Sequence, residues 1–337
     1  MLNQNNLVIK ILSKLVQILR NSQLKLLVFS LITASIIIGC GVGMRNLPPT
    51  SESSENITSE MRVIKHAMGE TKVPLHPQRI VVIGGLDNIL ALGIKPIAAT
   101  TLSDNNFLSY LEDFTAGIEK IGINGQPNLE KILYLKPDLI LGLYWDAELY
   151  EKLSQIAPTV LVEGAFDWKQ WLTKFAEAVG QRQKAEILLQ EYEQKVKKLH
   201  KEISNNSSNT KISLVSFWAN YTRLYMNNSF SGSILKEIGL TRPSYQNKNK
   251  INENISLELI PQIEGDIIFL ILGGHNPLKL QQFINHPLWS RLQAVQENRV
   301  YPVTSDTWIS AWGIIGANQV LDDLSKYLSL SSILLPN

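Results

Sequence analysis

Residues 181–203 read QRQKAEILLQEYEQKVKKLHKEI. Ile187, Leu188, Tyr192, Val196 and Leu199 recur at helical spacing in an otherwise charged run, which predicts one amphipathic helix. About 23 residues of helix make a rod of about 35 Å. The stretch Ser204–Asn209 (SNNSSN) then ends the pattern. A rod of this kind between two halves of strand–helix alternation predicts a bridging element, so residues 181–209 are expected to be a bridging helix and linker.

Outward from that rod, short apolar runs alternate with helical patterns. On the N-terminal side Arg79–Ile83 (RIVVI), Lys95–Ala99, Asp138–Leu143 (DLILGL) and Thr159–Val162 read as buried strands. Asp87–Leu92, Leu129–Leu135, Ala147–Ile156 and Trp168–Gly180 read as helices between and after them. On the C-terminal side Ile212–Phe217, Asp266–Leu272 and Val300–Val303 read as strands, with a helix over Val320–Leu328. Such alternation predicts an α/β fold with parallel sheets. The expectation is two α/β lobes, 62–180 and 210–337, joined by one long α-helix with no second crossing.

The halves echo each other. Asn128–Leu139 reads NLEKILYLKPDL and Ser256–Ile267 reads SLELIPQIEGDI. Asn128 and Ser256 each suit a helix N-cap, and Glu130 and Glu258 fall in the first turn, where a negative charge is favourable. In both halves an Asp then opens an apolar strand.

The N-terminus carries a different signal. Lys10, Lys14, Arg20 and Lys25 precede the apolar run Leu26–Ile38 (LLVFSLITASIII), and Gly39-Cys40 follows. A basic start, an apolar run of about 13 residues and a small residue at its end describe an export signal over 1–39. That run is shorter than the roughly 20 residues needed to span a bilayer. Ile37-Ile38-Gly39-Cys40 resembles the bacterial lipobox, which implies diacylglyceryl attachment to Cys40. The alternative is an uncleaved anchor helix reaching Met44. Both readings tether the protein to the extracytoplasmic face of the membrane. Cys40 is the chain's one cysteine, so an internal disulfide is excluded. Residues 40–61, rich in Ser, Glu, Asn and Pro, read as a flexible tether.

The 337-residue chain has a net charge of +2, but all four bases of residues 1–39 are unopposed by acids. Without them 28 bases face 30 acids, so the basic balance belongs to the leader. No basic stripe or nucleic-acid-binding motif is present. Nothing matches G-x-S-x-G, H-E-x-x-H or a phosphate loop, and no catalytic residue is assigned. Gly84-Gly85 and Gly273-Gly274 follow strands without phosphate-loop spacing and are expected to turn the backbone. The five histidines, His66, His76, His200, His275 and His286, are scattered rather than set at metal-ligand spacing, so no metal site is expected. His275 alone follows a strand where a ligand is plausible.

Several blocks in order resemble the solute-binding proteins of ABC importers for iron–siderophore complexes, cobalamin and haem. They are His66–Pro74 (HAMGETKVP), His76–Ile83 (HPQRIVVI), Leu129–Ile140, Ser229–Leu240 (SFSGSILKEIGL), Ser256–Phe269 and His286–Leu324. The resemblance implies two α/β lobes bridged by a long helix, with the ligand in a shallow cleft between them. It implies that Glu130 and Glu258, one per lobe, pair with arginines of the permease dimer. It also implies a monomeric, lipid-anchored, non-enzymatic carrier of a ferric siderophore, with cobalamin, haem or a sensor role as alternatives.

Loops after strand C-termini should line that cleft. They carry Tyr144 and Trp145 after DLILGL, and Trp218, Tyr221, Arg223 and Tyr225 around and after ISLVSF. Trp308 and Trp312 follow the last strand. Aromatic walls suit a bulky metal chelate, and the Arg223 guanidinium suits its oxygens. One arginine among these loops points to a hydroxamate-type, mixed or lightly charged chelate rather than a tris-catecholate.

Overall fold

The structure is a computed structural model that describes residues 60–102, 106–164, 166–206, 210–218, 221–273 and 277–333. Cys40, the export signal, most of the tether and His275 lie outside the described residues.

A hairpin of β1 (Met61–His66) and β2 (Gly69–Pro74) opens the fold. The N-terminal sheet contains β3 (Ile80–Val82), β4 (Ala98–Thr101), β5 (Glu119–Ile123), β6 (Gln126–Pro127), β7 (Leu139–Leu143) and β8 (Thr159–Val162). Its strand order is β6-β5-β4-β3-β7-β8, parallel throughout except for the β5–β6 pair. The C-terminal sheet contains β9 (Ile212–Phe217), β10 (Thr222–Tyr225), β11 (Asn252–Ile255), β12 (Ile267–Leu272) and β13 (Val300–Thr304), in the order β11-β10-β9-β12-β13. Here β9, β12 and β13 are parallel, and β10 runs antiparallel to both its neighbours. The expectation of parallel sheets therefore holds for the centre of each sheet and not for its hairpin edges.

The helices in chain order are α1 (Leu86–Ala91), α2 (Glu112–Thr115), α3 (Leu129–Leu135), α4 (Tyr150–Ser154), α5 (Trp168–Val179), α6 (Arg182–Asn206), α7 (Phe230–Glu237), α8 (Pro277–Ile284), α9 (Gln293–Gln296), α10 (Ser305–Trp308) and α11 (Ile314–Ile333).

Both faces of the N-terminal sheet are covered, which explains its unbroken apolar runs. Ile80 and Val82 join one apolar cluster while Val81 and Ile83 join another on the opposite face. The sequence order changes direction at β3: the chain proceeds to β4 on one side and returns to β7 on the other. Such a switch opens a crevice at the carboxyl ends of the strands.

The long helix is α6, which packs on α5 and α11. Its buried stripe is Ala185, Tyr192, Leu199 and Ile203. Burying a Leu or Ile side chain contributes about 1.5–3 kcal/mol, so this stripe, not helix propensity, holds the rod in place. Ile187, expected in the stripe, is 49% exposed instead. The helix also runs to Asn206, past its expected end at residue 203, and within it the Ser204 hydroxyl donates back to the His200 carbonyl at 2.8 Å.

Three other expectations differ. Strand β4, expected from Lys95, starts at Ala98, and Pro96 before it has no N–H for the ladder. Residues 144–149 form a 3₁₀ helix that runs into α4. The last helix, expected over 320–328, spans Ile314–Ile333 and packs on α1 and α5 as well as on α6 and α7. The lobes are thus joined by tertiary packing of α11 in addition to α6, which the expectation of a single bridge omitted.

Candidate functional site

The carboxyl ends of the N-terminal strands surround a cavity of about 330 Å³. Gly84 and Gly85 follow β3, Thr100 and Thr101 end β4, Asn124 follows β5, and Leu143 and Trp145 belong to the end of β7 and the turn after it. Phe166 and Trp171 come from the segment after β8. The opposite wall is Ile309–Trp312, the loop between α10 and α11. The volume lies within the range of small-ligand pockets.

Gly85 is required where it stands. Its φ is 81°, and a Cβ there would lie 2.5 Å from the Phe175 ring. A side chain would close the turn between β3 and α1 that opens the cavity.

Aromatic rings form the wall. Trp145 meets Trp171 edge-on at 5.3 Å between centroids and lies 6.0 Å from Phe166. Phe166 lies 4.6 Å from Trp312, and Trp312 lies 6.1 Å from Trp171 and 5.5 Å from Phe230. Trp171 is buried and fixed by donation from Nε1 to the Gly164 carbonyl at 3.0 Å. Trp145 is 50% exposed and presents an open face. Phe166 and Trp312 both have positive φ, at 59° and 43°. Side-chain-bearing residues held there cost energy, and such positions cluster at binding sites. Tyr144, Trp145, Phe166 and Trp171 also line an adjoining cavity of about 200 Å³.

The polar groups are few. The Thr100 hydroxyl donates to Asn124 Oδ1 at 2.6 Å, and the Thr101 hydroxyl donates to the Gly122 carbonyl at 3.2 Å. Asp87, in the first turn of α1, is buried, and burial pushes its carboxyl up to about 6. Hydrogen bonds from Ile315 N–H, Gly316 N–H and the Tyr110 hydroxyl oppose that rise.

Of the residues expected in the cleft, Tyr144, Trp145 and Trp312 line these cavities. Trp218, Tyr221 and Arg223 form a separate group at the carboxyl end of β9 and the start of β10. There the Arg223 guanidinium lies 4.6 Å from the Tyr221 ring centroid and its Nε donates to Asn254 Oδ1 at 3.0 Å. Trp218 Nε1 donates to the Ser216 hydroxyl at 3.0 Å.

Two candidates are corrected. Tyr225 is 2% exposed and Trp308 is 0% exposed, both within the apolar core. Tyr225 sits where β10 turns a side chain inward. Trp308 packs 4.5 Å from Phe269 and satisfies its Nε1 on Asp323 Oδ2 at 2.9 Å. A buried indole with its one donor satisfied has nothing left for a ligand.

Phe166, Trp171, Asn124 and Asp87 were missed. Phe166 and Trp171 follow β8 and obey the same strand-end rule as Trp145, but the run from Trp168 reads as an ordinary amphipathic helix. Asp87 was legible only as a polar residue opening an apolar helix.

Glu130 is exposed in the first turn of α3, whose N-cap Asn128 accepts from Lys131 N–H at 2.9 Å. Glu258 is exposed in a 3₁₀ helix, Leu257–Ile263, that contains Pro261. Ser256 does not cap this helix with its side chain, contrary to expectation. Its hydroxyl bonds to Glu258 instead and is the first cause holding that carboxyl below its usual value. Among the described residues no group of three or more His, Cys, Asp or Glu is placed to hold a metal, and no helix is long and apolar enough to cross a membrane.

Known proteins share this architecture and about a third of this sequence. The probable siderophore-binding lipoprotein YfiY of Bacillus subtilis (strain 168) is 34% identical over 300 residues, covering 84% of this chain and 92% of the relative. The achromobactin-binding periplasmic protein of Dickeya dadantii (strain 3937) is 30% identical over 270 residues, 76% of this chain and 88% of that protein. The crystal structure of Staphylococcus aureus SirA complexed with staphyloferrin B superposes with a TM-score of 0.71 at 30% identity, covering 80% of this chain and 98% of that one. The periplasmic binding protein family is matched over residues 85–307, and with that span lying across both sheets and the helix between them, this chain belongs to that family.

Proposed function

We propose that this protein captures a ferric siderophore at the extracytoplasmic face of the membrane and delivers it to an ABC permease, without catalysing a reaction and without a resident cofactor. The observation that carries the reading is the aromatic crevice at the carboxyl ends of β3, β4, β5 and β7, closed by Trp312 from the other side. Trp145, Phe166, Trp171 and Trp312 offer ring faces to the organic body of a chelate, and Thr100 and Asn124 offer oriented polar tips. Trp218, Tyr221 and Arg223 supply contacts from the second lobe, and Tyr144 the rim. The described lining of the larger cavity includes one carboxylate and no ammonium or guanidinium, which favours a chelate of low net charge. Relatives and a solved neighbour that bind siderophores support the same reading.

Delivery is assigned to Glu130 and Glu258. Two exposed carboxylates on separate lobes would orient the protein on a two-fold partner that presents cations. Lipid attachment at Cys40 would keep the monomer near that partner.

The test is tryptophan fluorescence of the full-length chain in detergent micelles. It is titrated with ferric hydroxamate, citrate and catecholate chelates, then cobalamin and haemin. Saturable quenching by a ferric chelate, absent with its iron-free form, is expected. Quenching by cobalamin or haemin alone would replace the cargo, and silence towards all of them would end the carrier reading. For docking, the Glu130→Ala/Glu258→Ala double variant is expected to keep chelate affinity and lose uptake in cells.

A further inference from the structure

The carboxylate of Asp87 accepts hydrogen bonds from two backbone amides far away in the chain, Ile315 N–H at 2.9 Å and Gly316 N–H at 3.0 Å. These amides belong to the first turn of α11, so Asp87, on α1, caps a helix of the other half of the molecule. The Tyr110 hydroxyl donates at 2.8 Å to Oδ2, the same carboxylate oxygen that accepts from Gly316 N–H, while Ile315 N–H is held by Oδ1.

The receiving segment is shaped for this carboxylate. A Cβ on Gly313 would lie 2.2 Å from Asp87 Cγ, so the absence of a side chain at 313 is what admits the acid. A Cβ on Gly316 would lie 2.2 Å from the Ala311 side chain. Between the cap and the crevice stands Trp312, with φ at 43°. Its carbonyl accepts from Asn88 Nδ2 at 3.3 Å, the residue next to Asp87. Left-handed backbone at a tryptophan persists only when its surroundings hold it.

We infer that Asp87 is a positioning residue of the crevice: by capping α11 across the interface it holds the 312–316 segment and seats the Trp312 ring in the binding wall. The consequence for binding rests on the reading of the crevice as the chelate site. The positioning itself does not.

Full-length protein labelled with 5-fluorotryptophan tests this by fluorine NMR, with the Trp312 resonance assigned by its loss in Trp312→Phe. Asp87→Ala removes the cap, and Gly313→Ala pushes the carboxylate away while leaving the acid in place. Both are expected to shift or broaden the Trp312 resonance. Both should also weaken binding of the ferric chelate that quenches the wild type, by about ten-fold or more. Asp87→Asn, which keeps one acceptor oxygen, should fall between wild type and Asp87→Ala. If Asp87→Ala fails to fold, Gly313→Ala and Asp87→Asn carry the comparison. An unmoved Trp312 resonance in the folded variants overturns the inference, and a moved resonance with unchanged chelate affinity overturns its consequence for binding. If the wild type binds no chelate, the crevice reading fails and the Trp312 resonance alone decides the positioning role.

Discussion

Lys169 Nζ on α5 lies 2.9 Å from Glu237 Oε2 on α7, and the Tyr192 hydroxyl on the bridging helix donates to the same oxygen at 3.0 Å. One carboxylate therefore ties the last helix before the bridge, the bridge itself and a helix of the second lobe. Lys169 Nζ also lies 5.0 Å from the Tyr192 ring centroid. This contact complements Asp87: each joins the halves through a side-chain acid, at different places on the interface.

The three members are unequal, and that can be measured. Lys169 and Glu237 side chains are 34% and 30% exposed, so Lys169→Met should cost only about 0.2–1 kcal/mol. Glu237→Ala should cost about 1–3 kcal/mol, because the Tyr192 hydroxyl then loses its acceptor in a fully buried side chain. Urea unfolding midpoints of the two variants give the comparison, and equal losses would show that the Tyr192 bond contributes nothing.

Two tryptophans that look equivalent in sequence should behave in opposite ways. Trp145→Ala removes a half-exposed ring from the crevice and should weaken chelate binding with little change in Tm. Trp308→Ala empties a buried site and removes one of the donors to Asp323, which should cost about 3–5 kcal/mol. Thermal unfolding beside a binding titration separates them; weaker binding in neither variant would remove Trp145 from the site.

The echoing motifs make a further contrast. Asn128→Ala removes an N-cap bond and should destabilise by about 1 kcal/mol. Ser256→Ala removes no cap and should stay within about 0.5 kcal/mol. Denaturant unfolding of both variants checks this, and a larger loss at Ser256 would contradict the assignment.

His66 should make stability depend on pH. Its Nδ1 accepts from Leu161 N–H at 3.3 Å, which attaches the β1–β2 hairpin to edge strand β8 and requires that nitrogen unprotonated. Burial holds its pKa below the ordinary value of about 6.5. The unfolded chain then binds the proton more readily, so this contribution is complete above that value and is lost as pH falls through it. Tm measured from pH 7.5 down to pH 5.5 should fall, and His66→Gln should flatten the slope; an unchanged slope in the variant would move the dependence to another group.

Much of the architecture was legible because it is written in local periodicity. Helical spacing from Ile187 to Leu199 marked the rod, and unbroken apolar runs marked strands buried on both faces. Helix α3 was bounded as expected, by Asn128 at its start and Leu135 at its end. What local pattern cannot show is which neighbour a side chain meets. Arg223 and Tyr225 share a strand and a parity, yet one stacks half-buried on Tyr221 and the other is enclosed in the core. Trp308 and Trp312 are four residues apart, yet across the loop at residues 309–313 one lies in the core and the other lines the crevice. The backbone partners of Asp87 stand 228 and 229 residues away, so no window of sequence contains the cap. The chain alone determined the repeating units and the rod between them, since these depend on contacts within a few turns or strands. The tertiary structure decided the aromatic wall of the crevice and the cap beside it, because both arise where distant segments exclude water from one another.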